Sequence, residues 1–102
     1  MLKSHYSPSV KVRFGDIVEM LDAVEDKEST GVISFLKRYP QIPESNQQAL
    51  APDGNMLTAA QNLFSALRNM DRPSIKLLLV EEVPDYGLGK AINDRLRRAS
   101  VD

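Results

Sequence analysis

The residues whose types and spacing suit chemistry lie near the C-terminus of this sequence. Gly87-Leu88-Gly89-Lys90 follows an apolar run and opens a helical pattern, the arrangement in which backbone amides at a helix start hold a phosphate. A dinucleotide fingerprint needs a third glycine where Ile92 stands. A phosphate-binding loop needs a glycine where Pro84 stands and a hydroxyl where Ala91 stands. Both motifs fail at identifiable atoms, so Gly87 and Gly89 are read first as supplying unusual backbone angles for a tight strand-to-helix turn. A ligand held by Gly87, Leu88, Gly89 and Lys90 is the lesser reading.

Lys90, Arg95, Arg97 and Arg98 make the last helix basic, with Asp94 the only opposing charge. Cations in a last turn complement the helix dipole, so a solvated face is the default and contact of Arg95 and Arg98 with RNA or phosphate is secondary. Glu81 and Glu82 leave a strand end, where paired carboxylates suit acid-base work or a divalent ion. No histidine or second carboxylate cluster accompanies them, and no metal site is expected. Asp16 and Asp53 read as helix cap and turn. With three Tyr and three Phe, of which Phe14, Phe35 and Phe64 fall on core stripes, no stacking platform for bases is expected. Met20, Met56 and Met70 read as core filling.

Composition narrows the chemistry further. The 102 residues suffice for one domain with a single core. A net charge of −1 gives no long-range attraction for nucleic acid, and no DNA partner is expected. The absence of cysteine excludes disulfides and thiolate chemistry. His5, the single histidine, sits in an arm and leaves a serine triad without a base. No apolar run approaches the ~20 residues of a membrane span, and the N-terminus lacks a signal-peptide core. A cytoplasmic protein is expected.

The elements that must position these residues follow from periodicity. Residues 1–8 read as a linker arm closed by Pro8. Val10, Val12 and Phe14 alternate with Lys11 and Arg13 as a strand with one buried face, ended by Gly15. Ile17, Met20, Leu21 and Val24 mark a helix capped by Asp16. Thr30 to Leu36 lacks charge and suits a central strand. Lys37 to Gln48, with Pro40, Pro43 and a run of amides, predicts an irregular connection and a weak edge strand near Gln47 to Ala51. Pro52 to Asn55 make a turn, after which Met56, Ala59, Ala60, Leu63, Phe64, Leu67 and Met70 mark the longest helix. Ile75 to Val80 suits a strand buried on both faces. Leu88, Ala91, Ile92, Leu96 and Ala99 carry the last helix. The order β-α-β-β-α-β-α, with right-handed crossovers, implies a mostly parallel sheet covered on both faces.

Three stretches together resemble a known family. Pro84-Asp85-Tyr86-Gly87-Leu88-Gly89-Lys90-Ala91-Ile92-Asn93-Asp94-Arg95-Leu96-Arg97-Arg98-Ala99 is similar to the ending of the C-terminal domain of two-domain L-threonylcarbamoyladenylate synthases. Ala59 to Asp71, preceded by the Pro52-Asp53-Gly54 turn, resembles that domain's long helix. Met1 to Pro8 resembles the interdomain linker, with Ser7 where the family usually has Ala. The resemblance implies a part in making threonylcarbamoyladenosine in tRNA, an indirect link to tRNA through the modification. In that family L-threonine, bicarbonate, ATP and magnesium meet in a larger YrdC-like catalytic domain, which this chain lacks. The family's Lys-x-Arg signature is matched in letters by Lys11-Val12-Arg13, on a predicted strand of the wrong domain, and no Ser-x-Asn element accompanies it.

The resemblance thus implies a Rossmann-like α/β three-layer sandwich with a mostly parallel sheet of about four or five strands. Residues 9–102 form a single accessory domain, non-catalytic and without a cofactor of its own, ATP and Mg belonging to the catalytic domain. Its expected partner is that YrdC-like domain, in cis or as a separate chain. Lys3, His5 and Tyr6, from the linker, are expected to form a lid over the catalytic cleft. The chain itself is expected to be a fragment or a split gene product. The alternatives are a small nucleotide- or ligand-binding regulatory module using the Gly87–Lys90 turn, and an RNA-binding accessory using Lys90, Arg95 and Arg98.

Overall fold

Short apolar stretches, each bounded by a turn residue, build a sheet with helices on either side. The structure, a computed structural model, describes residues 10–100. Its elements are β1 (Lys11–Gly15), α1 (Ile17–Asp22), β2 (Thr30–Ser34), β3 (Gln47–Ala49), α2 (Met56–Met70), β4 (Leu77–Glu81) and α3 (Leu88–Ala99). The order is the predicted one. β4 begins two residues later than the apolar run, because Ile75 is buried ahead of the ladder.

The four strands run parallel in the order β1-β4-β2-β3. β1 and β2 are therefore separated by the last strand of the chain. Two connections, β1 to β2 and β2 to β3, cross the sheet in one direction, and the third, β3 to β4, reverses. Right-handed crossovers then require opposite faces for the two senses, and the packing follows. Ile17 and Leu21 of α1 pack with Val32, Leu79 and the loop residues Tyr39 and Ile42. Ala59, Leu63, Ala66, Leu67 and Met70 of α2 and Ile92 and Leu96 of α3 pack with Val12, Ile33, Leu78 and Val80. Neighbouring residues of β2 and β4 thus serve opposite layers, which is why β4 reads as an apolar run and β2 as a stretch without charge.

Local signals set the helix starts. Asp16 Oδ1 accepts from Glu19 N at 3.1 Å, and Asn55 Oδ1 accepts from Leu57 N at 2.8 Å. Asp53 Oδ1 accepts from Asn55 N, closing the turn ahead of α2. The predicted edge strand is present as the three residues of β3.

The irregular segment between β2 and β3 is held by side-chain amides. Gln47 is buried; its Oε1 accepts from Tyr39 N at 2.7 Å, and its Nε2 donates to Tyr39 O at 2.8 Å and Ile42 O at 2.9 Å. Asn46 donates to Glu28 O at 3.0 Å and accepts from Arg72 at 2.8 Å. One glutamine therefore supplies three backbone partners that a ladder would otherwise supply. Gln47→Leu, similar in size, leaves the Tyr39 and Ile42 groups unpaired. It is expected to lower unfolding free energy by about 2–4 kcal/mol, measured by urea denaturation, and a loss within error of zero would contradict this role.

Candidate functional site

In open parallel α/β sheets ligands bind beyond the C-terminal strand ends, where neighbouring connections leave to opposite faces. Here that point lies between β1, which leads to α1, and β4, which leads to α3. A depression of about 390 Å³ opens there, lined by Gly15, Asp16, Glu81, Glu82, Val83, Pro84 and Asp85. Its carboxylates oppose a phosphate. Glu81 Oε1 accepts from Phe35 N at 2.7 Å, so this carboxylate ties the end of β4 to the end of β2. Glu82 N donates to Gly15 O at 3.0 Å, extending the β4 contact with β1. The Glu81-Glu82 pair is accordingly a strand-end device, and among the described residues no cluster of three His, Cys, Asp or Glu is placed to hold a metal ion.

The glycine turn sits beside this depression. Gly87 has φ 56° and ψ −134°, a conformation that L side chains rarely adopt. Gly89 corrects the expectation drawn for both glycines: its φ is not positive, and it is required for close approach. A Cβ there would lie 1.9 Å from Pro84 O and 3.1 Å from the Met56 methyl. Two of the amides a phosphate would need are engaged within the turn. Gly89 N donates to Tyr86 O at 2.9 Å and Lys90 N to Gly87 O at 3.1 Å.

Asn93, missed in the sequence, anchors the turn. It is fully buried; its Oδ1 accepts from Val83 N at 2.9 Å, and its Nδ2 donates to Val83 O at 2.7 Å and Asp85 Oδ1 at 3.1 Å. That amide, with smaller help from the charges of Lys90 and Arg97, holds the Asp85 carboxyl below its ordinary value. The signal was present: Gly89, Ile92, Asn93 and Leu96 recur at i, i+3, i+4 and i+7, so a polar residue stood on the buried stripe. Tyr39 shows the opposite shift, its phenol pushed up by burial and then by the charges of Glu81 and Asp16.

The basic face of α3 has partners of its own. Lys90 Nζ lies 3.4 Å from Asp85 Oδ2, and Arg98 is 2.6 Å from Asp94. Arg95 stands 5.3 Å from the ring centre of Phe64, and Arg97 5.2 Å from that of Phe14. Two of these cations thus meet a carboxylate and two lie over a ring. Phe64 departs from the predicted core stripe: it is 48% exposed and covered on one side by Arg95, because α2 turns it outward beside α3. Phe14 and Phe35 are half-buried at the core margin. Met70 is buried as expected, while Met20 and Met56 are half-buried against the two layers.

Two further hollows carry no convergent chemistry. One of about 580 Å³ follows the loop from Arg38 to Glu44, and one of about 420 Å³ lies on the sheet face that the short α1 leaves open beside Arg13 and Leu77. Lys3, His5 and Tyr6 lie outside the described residues. No helix among the described residues is long and apolar enough to cross a membrane.

Comparison with known proteins agrees with this architecture. A family model described as threonylcarbamoyl-AMP synthase, C-terminal domain, matches residues 1–101. A curated threonylcarbamoyl-AMP synthase of Pyrococcus abyssi (strain GE5 / Orsay) is 54% identical over 41 residues, covering 40% of this chain and 12% of that protein. The crystal structure of P. abyssi Sua5 complexed with L-threonine matches with a TM-score of 0.70 and 29% identity, over 98% of this chain and 31% of that one. The chain spans less than a third of the length of the relatives it matches.

The two glycines differ in a measurable way. Gly89→Ala forces the start of α3 away from Pro84 and is expected to destabilise by more than ~3 kcal/mol. Gly87→Ala carries only backbone strain, about 1–3 kcal/mol. Chemical denaturation of both variants distinguishes them, and a larger loss at Gly87 would contradict the close-approach account.

Proposed function

Because the chain belongs to the family of threonylcarbamoyl-AMP synthase C-terminal domains, we propose that it is the accessory, non-catalytic domain of such a synthase, acting in tRNA threonylcarbamoyladenosine modification. The observation that carries this reading is the turn at Gly87–Lys90, whose Gly89 and Lys90 amides are bonded within it. Where an α/β fold of this order would bind a ligand, Asn93, Glu81 and the turn's own carbonyls engage the polar groups. On this reading L-threonine, ATP and Mg are handled by a YrdC-like catalytic domain, in cis or as a separate chain. Residues 9–102 support that domain. The arm of residues 1–8 places Lys3, His5 and Tyr6 as a lid over its cleft, where excluding water protects a carbamate and a mixed anhydride from hydrolysis.

Calorimetric titration of the isolated chain with ATP, AMP and L-threonine tests the first part. No binding heat is expected, and a saturable isotherm with any of the three would favour a ligand-sensing module at the Gly87–Lys90 turn. The lid is tested in the two-domain protein: Tyr6→Ala should lower synthesis of threonylcarbamoyl-AMP severalfold. Unchanged turnover would remove the lid role and leave the accessory role standing.

A further inference from the structure

The Lys11-Val12-Arg13 stretch, which matches a catalytic signature only in letters, stands on an outer strand of the sheet. Gly15 O accepts from Glu82 N at 3.0 Å, so Gly15, and with it Arg13 and Lys11, turn their backbone groups towards β4. Successive residues of a strand point their backbone groups to opposite sides. The N–H and C=O of Val12 and Phe14 therefore face away from the sheet, where among the described residues no strand or loop pairs with them. With five residues against the three of β3, β1 is the longer of the two sheet edges. Its register with β4 is unbroken and it holds no proline, so it lacks two of the devices that blunt an edge.

The side chains decide what such an edge can pair with. Val12 and Phe14 share one face of β1, packed against the layer of α2 and α3, with Arg97 over the Phe14 ring. Lys11 and Arg13 share the other face; both are exposed, and among the described residues neither is in an ion pair. Two unpaired cations thus stand two residues apart on one face. Like charges directly opposite each other on neighbouring strands are destabilising. Two copies of β1 run antiparallel about a two-fold axis would set Lys11 against Arg13, and every register that keeps the apolar faces aligned sets cation against cation. The edge therefore rejects its own copy. A strand with carboxylates opposite Lys11 and Arg13 and apolar side chains opposite Val12 and Phe14 meets attraction on one face and continues the core on the other.

We propose that the outer edge of β1 takes up an extended segment of a partner protein in which acidic and apolar residues alternate, its backbone bonded to Val12 and Phe14 and its carboxylates set against Lys11 and Arg13. The main-chain bonds supply the contact. The same two cations that prevent self-pairing select the sequence.

A capped hexapeptide of alternating glutamate and valine, titrated into the whole chain and followed by amide NMR shifts and hydrogen exchange, tests the edge. Saturable shifts centred on β1 are expected, with slowed exchange at the Val12 and Phe14 amides, which adsorption by charge alone would leave fast. The double variant Lys11→Glu with Arg13→Glu should bind this peptide at least ~10-fold more weakly and take up the matching lysine–valine peptide instead. Its circular dichroism spectrum should be unchanged, because both side chains are exposed. Absence of saturable shifts, shifts without protection at Val12 and Phe14, or equal binding of the two peptides by the unaltered chain would each overturn the proposal. Dimerisation of the unaltered chain through β1, seen in sedimentation and lost in the double variant, would overturn it too by giving the edge to a second copy.

Discussion

The insertion of β4 between β1 and β2 is the constraint on which the structure depends. Among the described residues β1 is an edge strand whose ladder partner is β4, with Lys11 opposite Leu77 and Gly15 opposite Glu81. The sheet is therefore incomplete until the chain has passed through α2 and returned. Pairing across so long a separation must overcome loop-closure entropy before any ladder bond rewards it. The reversal of direction also decides the layers. Right-handed crossovers place α1 and the β2–β3 loop on one face and α2 and α3 on the other, and the central strands must be apolar on both.

This arrangement leaves two stretches without regular partners, the loop after β2 and the turn after β4, and buried amides serve both. Gln47 pairs with Tyr39 and Ile42, and Asn93 pairs with Val83 and Asp85. An amide offers a donor and an acceptor side by side, so it matches the paired N–H and C=O of a backbone as a neighbouring strand does. Among the described residues no buried side-chain nitrogen or oxygen lacks a partner. The same economy engages polar groups at the point where the topology would place a ligand. Glu81 bridges β4 to β2, Gly89 brings α3 against Pro84, and the Gly89 and Lys90 amides bond to carbonyls within the turn.

The family match extends over residues 1–101, while the chain is less than a third of the related proteins it aligns with. The basic side chains of α3 are matched by Asp85, Asp94, Phe64 and Phe14, which weakens the case for that helix as a nucleic-acid surface.

The sequence by itself determined the elements, their order, the layer type and the family, because each rests on local information. Apolar periodicity marked the strands and helices, Asp16 capped α1, and the turn at Pro52–Asn55 set the start of α2. Local pattern did not reveal that β4 lies between β1 and β2, since strand order depends on contacts between residues more than 60 positions apart, as in the Lys11–Leu77 pairing. Nor did it separate the two glycines: Gly87 is a matter of its own φ, whereas Gly89 is a matter of the distance to Pro84. Phe64 looked like core by spacing and became a platform for Arg95 because α3 packs beside α2. Which polar residues are structural, and which apolar ones remain exposed, was decided only when α2 and α3 met on one face of the sheet.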